Sequence, residues 1–235
     1  NCVIPTDGSV TEIASYAFQD SLITSIVIPR SVKTIKSSAF LDCVNLQEIT
    51  FESNSSLTTI ESSAFKSCTA LTEIVIPSSV ISLGYSPLSG CSSLQTVTIN
   101  AQLSSLPASL FSGCTGLEVA NNISNMFTNC TDLRNIWGLF DGCTNAVMIY
   151  GADWFANCPN LANVDFTFRN CKNLMGQISK GLFSGKSKLT AAYQTFDGCI
   201  SLSGNIPEGY FKGCTNLVDI HGHFQNCSGL TGAIP

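Results

Sequence analysis

A solenoid of stacked coils, poor in helix, with a parallel β-sheet on one face and short turns or 3-10 segments on the other, is the fold predicted by three observations. The frame F-x-x-C-x-x-L recurs along the chain, runs of alternating apolar residues separate its copies in the first half, and Pro, Gly and Ser punctuate those runs. Recurrence at roughly 20 to 50 residues marks an architecture whose single unit cannot bury its own apolar face.

Ten Phe/Cys pairs carry the frame: Phe40/Cys43, Phe65/Cys68, Phe111/Cys114, Phe127/Cys130, Phe140/Cys143, Phe155/Cys158, Phe168/Cys171, Phe196/Cys199, Phe211/Cys214 and Phe224/Cys227. Leu88 replaces Phe before Cys91, Lys186 replaces Cys after Phe183, and Phe18 opens a degenerate copy. From Phe18 to Phe111 the intervals are 22, 25, 23 and 23 residues. From Phe127 onward they alternate between 13 and 15, so the unit there has 28 residues and two F-x-x-C turns. The chain reads as one domain, 1–235, with repeats of about 23 residues over 1–117 and paired 13/15-residue repeats over 118–235.

Leu71-Thr-Glu-Ile-Val-Ile76 alternates apolar and polar residues, which predicts a short strand with one face inward. Stacked copies form a parallel ladder, and the repeat Phe, Cys and Leu fall into columns. Pro29 and Pro77 cannot donate to a ladder and end the strand, while Ser-Ser-Ala-Phe and Gly-Cys-Thr pieces supply turns. In the second half, Leu202-Ser-Gly-Asn-Ile-Pro207 and Leu230-Thr-Gly-Ala-Ile-Pro235 predict an additional small strand per coil.

Ile28 to Leu46 follow I-P-x-S-V-x-x-I-x-x-x-A-F-x-x-C-x-x-L, which resembles the BspA-like leucine-rich repeat of bacterial cell-surface proteins. The Leu-Ser-Gly-Asn-Ile-Pro piece is similar to plant-type extracellular leucine-rich repeats. The first likeness covers about half the chain closely, and the 13/15 alternation beyond Phe127 departs from it. It implies a leucine-rich-repeat solenoid located outside the cell or on its surface. It also implies attachment to host matrix proteins or to other cells.

Composition narrows the function. With 44% hydrophobic and only 11% charged residues the chain folds. A net charge of -5 and 11 scattered Lys and Arg leave no basic stripe for a phosphate backbone, so nucleic acid is not an expected partner. No apolar run approaches the roughly 18 residues of a membrane-spanning helix. Asn1 leads directly into Cys2-Val-Ile-Pro5, which aligns with Ile26-Val-Ile-Pro29, and Ile234-Pro235 stops inside another such pattern. The expectation is a portion of a longer array or a processed fragment.

The 12 cysteines are about 5% of the chain, below the roughly 8 to 10% of a disulfide scaffold. They read as a buried column of small apolar thiols. The alternative is disulfides between coils about 4.8 Å apart, for which parallel side-chain vectors are awkward. No metal is expected, because Cys130 and Cys143, or Cys158 and Cys171, leave 12 residues between them where structural zinc uses close pairs. His221 and His223, the only histidines, are expected to face solvent on a strand. No phosphate-binding loop is present and nothing singles out a pair of carboxylates, so neither an enzyme nor a cofactor is expected. A hydrolase pocket would have to interrupt the solenoid, and the irregular junction from Asn121 to Met126 is the place for one.

The informative surface comes from aligning the 28-residue units on Leu133, Leu161, Leu189 and Leu217. Trp137, Asp165, Tyr193 and His221 then share one column, at a strand position pointing away from the core. Asn135, Asn163, Ala191 and Asp219 form the adjacent column. Aromatic and polar groups on a rigid sheet suit a protein or glycan contact, because large rings supply area with little entropy to lose. The alternative is free drift where nothing packs. Trp154 and Tyr210, each just before a repeat Phe, are expected to face solvent or to cover a coil edge. The expected function is binding or adhesion at the cell surface through the exposed sheet face; the alternative is a structural spacer presenting another domain.

Overall fold

Alternating apolar residues become parallel strands, and each strand lies over the same segment of the next coil. The computed structural model describes residues 2–117, 126–127, 129–146 and 154–232. Contacts group the chain into two compact units, Asn1–Leu103 with Leu110–Leu117, and Ser104–Ser109 with Glu118–Pro235. Among the described residues there is no helix and no 3-10 segment; turns link the strands.

The first unit holds β1 (Cys2–Val3), β2 (Glu12–Ile13), β3 (Ser25–Ile28), β4 (Thr34–Ile35), β5 (Glu48–Phe51), β6 (Thr59–Ile60), β7 (Glu73–Ile76), β8 (Ser82–Leu83) and β9 (Thr96–Ile99). Parallel pairing orders them β1-β3-β5 and β7-β9 on one face. Ile26 lies beside Ile49 and Ile74 beside Val97, all buried, while Val27 and Val75 between them are exposed. A second parallel sheet, β2-β4-β6-β8, is made of two-residue strands whose Ile13, Ile35 and Ile60 are buried. The sequence predicts short turns or 3-10 segments on that side; the Val-x-x-Ile spacing of Val32 to Ile35 is enough for a short ladder.

The F-x-x-C turn makes the third ladder. In the coil of Phe40, the amides of Ser38, Phe40 and Asp42 donate to the carbonyls of Ser62, Ala64 and Lys66 at 2.8 to 3.0 Å. Ser38 and Asp42 both sit at φ 57°, left-handed backbone that costs an L-residue about 1 kcal/mol, and small or polar residues fill the equivalent places.

Why the turn needs Phe and Cys three residues apart is visible in its carbonyl. The Phe40 oxygen accepts the Cys43 amide of its own turn at 3.3 Å and the Cys68 thiol of the next coil at 3.3 Å. In the second unit the Phe140 oxygen takes the Cys143 amide at 3.0 Å and the Cys171 thiol at 3.1 Å. The thiol is therefore both a small apolar filler and a weak donor that satisfies a second lone pair. Burial pushes the thiols up, Cys43 and Cys227 to about 11 and Cys130 to about 12, so they stay protonated and unreactive at neutral pH. The Phe rings stack in register, Phe18 on Phe40 at 4.9 Å and Phe168 on Phe196 at 5.1 Å between centroids.

Cys114 shows what the replacement of Phe by Leu88 does to the columns. Its amide bonds to the Phe111 oxygen of its own turn at 3.0 Å, as the frame requires, and the residue is fully buried. Its thiol, however, donates to the carbonyl of Leu88 at 3.2 Å and not to that of a Phe. Leu88 stands where the preceding coil would carry Phe, and the acceptor is a main-chain oxygen that any residue provides. That coil therefore keeps the thiol bond of Cys114 while giving up a ring from the stack. Cys130 departs in a second way, its thiol donating at 3.3 Å to the Met126 oxygen of its own turn.

In the second unit the expected small strand is β10 (Gly204–Asn205) pairing with β11 (Leu230–Thr231). Residues 233–235 of the predicted Leu230 to Pro235 segment lie outside the described residues. The expected exposure of His223 fails there, and of the two alternatives for Trp154 and Tyr210 the solvent-facing one does. Trp154 is buried against Phe168, and Tyr210 is fully buried. His223, expected on the surface, is 1% exposed and encircled by Phe183, Phe196, Phe211 and Phe224. Each of these residues directly precedes a repeat Phe, and that position packs inward because the turn around it is tight. Neutral His223 is held as one tautomer. Its Nδ1–H donates to the Ala192 carbonyl at 2.7 Å, leaving Nε2 to accept the Tyr210 hydroxyl at 3.2 Å.

Two measurements check this packing. Cys171→Ala removes a donor and a buried sulfur, and urea unfolding should show a loss of about 1 to 2 kcal/mol. For His223, burial lowers the pKa to about 4, below the unfolded value. Between about 6.5 and 4 the unfolded chain binds a proton that the folded chain does not, so stability should fall as pH drops through that window, by about 3 kcal/mol at most. His223→Gln should flatten that part of the stability profile; an unchanged slope would show that this group is not its source.

Candidate functional site

The second unit exchanges four-residue strands for single bridges. Asn135, Asn163, Ala191 and Asp219 pair in parallel, one residue per coil. The strand stops at once because three of these side chains bend the backbone. Asn135 Oδ1 accepts the Trp137 amide at 2.8 Å, Asn163 Oδ1 the Asp165 amide at 2.9 Å, and Asp219 Oδ1 the His221 amide at 2.9 Å. These are Asx turns, local side-chain bonds that compete with the ladder. Ala191 has no such group, and Asp165 Oδ1 of the neighbouring coil takes the Tyr193 amide instead, at 2.7 Å.

This geometry corrects the placement of the predicted column. Trp137, Asp165, Tyr193 and His221 do align across the coils, but each begins a turn and none lies on a strand. Trp137, Asp165 and Tyr193 are half-buried and His221 is exposed. Asn135, Asn163 and Asp219 shape the turns that hold them, and Asp165 does the same for Tyr193.

Turning the backbone brings in a residue that sequence alignment missed. Phe166 follows Asp165, and its ring lies 5.3 Å from Trp137 at 73° and 5.1 Å from Tyr193 at 77°. Tyr193 then stacks on His221 at 5.6 Å and 11°. Four rings on four coils thus form one ladder, with edge-to-face contacts at Phe166. Phe166 sits at φ 57°, where the equivalent residues are Gly138, Gln194 and Gly222. A bulky side chain in left-handed backbone is a sign of selection for something other than local ease. The available signal was an aromatic displaced by one position in the single unit whose column carries Asp.

Arg169 anchors the ladder from one side. Its guanidinium carbon lies 4.3 Å from the centre of the Phe166 ring, and its fork grips the Asp141 carboxylate, with Nε at 3.1 Å from Oδ1. That combination fixes the Phe166 ring and leaves a cation at the edge of an aromatic surface. Among the described residues no group of three or more His, Cys, Asp and Glu is placed to hold a metal ion. Residues 121–125 of the irregular junction lie outside the described residues.

Comparison with known proteins fits the repeat geometry. The family model for the BspA type leucine rich repeat region matches residues 11–125 and 119–231, with six copies. No curated protein sequence matches the chain. Among solved structures, a leucine-rich repeat protein from Eubacterium ventriosum is 26% identical over 86% of this chain and 46% of its own, with a TM-score of 0.48. A leucine-rich repeat protein from Bacteroides capillosus is 32% identical over 41% of this chain and 74% of its own, with a TM-score of 0.35. A leucine rich cell surface protein from Faecalibacterium prausnitzii is 19% identical over 98% of this chain and 87% of its own, with a TM-score of 0.34. This chain spans a little under half the length of the Eubacterium ventriosum protein. With the Phe and Cys columns running through each unit and the family model spanning nearly all of the sequence, the chain belongs to the BspA-type leucine-rich repeat family.

Proposed function

We propose that this chain is a binding module of the bacterial cell surface that holds a protein ligand against the ladder of Trp137, Phe166, Tyr193 and His221. One observation carries the reading: four aromatic rings converge on one surface, and the ring at its centre occupies backbone that other repeats give to Gly or Gln. Rings already held by Asx turns and by Arg169 lose little further freedom on binding, which favours affinity. Membership of a repeat family that resembles surface proteins supports the location, and adhesion to host matrix or to another cell follows as the use of such a face. Within this reading the chain performs no catalysis; among the described residues every repeat thiol except the half-buried Cys214 is buried, and His223 is sealed in the core.

Immobilised chain presented with a panel of matrix proteins and glycans tests the reading. A protein ligand should bind, and the double change Trp137→Ala with Tyr193→Ala should weaken it by about tenfold to a hundredfold, as expected for two anchor rings. Absence of any binding would favour a spacer, and binding to glycans alone would replace the protein ligand with a carbohydrate. Phe166→Gly relieves left-handed strain while deleting ring contacts. It should lower affinity while leaving the unfolding free energy from urea titration within about 1 kcal/mol of the original.

A further inference from the structure

Asn-x-Ser/Thr, the tripeptide whose Asn accepts a sugar chain in proteins outside the cell, begins at Asn54, Asn122, Asn129 and Asn226. Spacing alone does not separate the four, but the coils do. Asn122 lies outside the described residues. Asn129-Cys130-Thr131 and Asn226-Cys227-Ser228 each have a repeat Cys in the middle, buried and bonded through its thiol to the carbonyl of Met126 or of Phe196. Sugar transfer requires the tripeptide to enter an enzyme's cleft, and at these two places that would draw a column thiol out of the core. Asn226 is held further, its carboxamide nitrogen donating to Asp197 Oδ1 at 2.8 Å.

Asn54-Ser55-Ser56 stands outside the columns. It belongs to the seven-residue connection 52–58 between β5 and β6, where neighbouring coils use five residues, 29–33 and 77–81. Pro29 and Pro77 open those turns, and Glu52 opens this one. Main-chain bonds fix the loop on both sides of its tip: the Glu52 amide donates to the Ile28 carbonyl at 3.1 Å, and the Ser56 amide to the Arg30 carbonyl at 3.0 Å. Between them Ser53 and Asn54 form an exposed turn, with Asn54 at φ 57°. Left-handed backbone accounts for Asn, Asp or Gly at position 54. It does not account for Ser56, exposed two residues on. Ser55 serves the loop itself, its Oγ accepting the Leu57 amide at 3.2 Å, whereas no hydrogen bond engages the Asn54 carboxamide or the Ser56 hydroxyl among the described residues. Open grooves of 490 Å³ beside Asn54 and 340 Å³ beside Ser53 leave room for the first sugars. Glu52 lies two residues before Asn54, and its Oε2 accepts the Arg30 amide at 2.9 Å, which keeps the carboxylate beside the turn. The residues two places before Asn122, Asn129 and Asn226 are Ala120, Phe127 and Phe224.

We propose that Asn54 is an N-glycosylation site, taking an oligosaccharide from a lipid diphosphate carrier. The carboxamide nitrogen attacks C1 of the first sugar, the bond from C1 to the diphosphate oxygen breaks, and the diphosphate leaves with that electron pair. The nitrogen gives up one proton to the leaving diphosphate or to solvent, so the products are one amide-linked sugar chain and one free lipid diphosphate. The transferase is a separate enzyme and this chain is its substrate. It contributes an exposed turn fixed on both sides, a free hydroxyl two residues on and a carboxylate two residues before. The proposal rests on the cell-surface location argued above and is independent of the aromatic ladder.

The folded full chain, incubated with a lipid-diphosphate-linked oligosaccharide and a purified bacterial oligosaccharyltransferase that selects an acidic residue two places before Asn, tests the site. Intact mass and mass mapping of peptides should show one oligosaccharide, on the peptide that carries Asn54. Asn54→Gln should abolish transfer, and Ser56→Ala should lower it by about a hundredfold or more, as removal of a recognised hydroxyl does. Glu52→Gln should slow it by about tenfold or more. A synthetic peptide of residues 50–58 serves as the unfolded reference. Transfer to that peptide but not to the folded chain, transfer to Asn129 or Asn226 in place of Asn54, or indifference to Ser56→Ala would overturn the proposal. Purified components need no export, so failure here counts against the site and leaves the proposed location standing.

Discussion

Everything in this molecule rests on a carbonyl that serves two coils at once. The oxygen of a repeat Phe closes its own turn by accepting the Cys amide three residues on, and then accepts the Cys thiol of the next coil, as at Phe40 with Cys68 and Phe140 with Cys171. One atom thus sets both the shape of a coil and its alignment with a neighbour. The spacing F-x-x-C is the spacing of that turn, and Cys114 on Leu88 shows that the bond belongs to the position and survives loss of the ring. Where the rings are present they stack in the same register, so hydrogen bonding and burial reinforce one arrangement.

Rigid coils of this kind free the outward residues to vary. In the first unit four-residue strands present side chains in alternation, whereas in the second the Asx turns cut each strand to one bridge and lift the following residue onto a turn. The aromatic ladder is a product of that second arrangement. Asp165 shows how neighbouring coils share one group: its carboxylate replaces the turn-forming group that Ala191 lacks, and its position in the column is filled by the ring of Phe166 beside it. Local strain at Phe166 is tolerated because Arg169, Trp137 and Tyr193 hold the ring from three sides.

Irregularity is informative against such a background. Two more residues follow β5 than follow β3 or β7, Glu52 stands where those two turns carry Pro, and β5 and β7 are not paired. Position also decides chemistry for histidine. His221 is exposed and stacks on Tyr193, while His223, two residues on, is buried and pushed down to about 4.

The periodic part of the fold was legible in the residues themselves. Phe, Cys and Leu at fixed spacing can bury only against copies of themselves, so their columns, the parallel strands at Ile26, Ile49 and Ile74, and the alignment of Trp137 with Tyr193 followed from pattern and the physics of thin repeats. What sequence could not supply was the direction of single side chains within a turn and the acceptor each thiol finds. Trp154, Tyr210 and His223 point inward, Cys114 bonds to a Leu carbonyl, Phe166 joins the ladder from a neighbouring position, and β5 is not paired with β7. Each depends on left-handed residues, a side chain capping an amide, a replaced ring, or a change of loop length. Such local geometry is set by which coil lies alongside, and only the assembled tertiary structure contains that information.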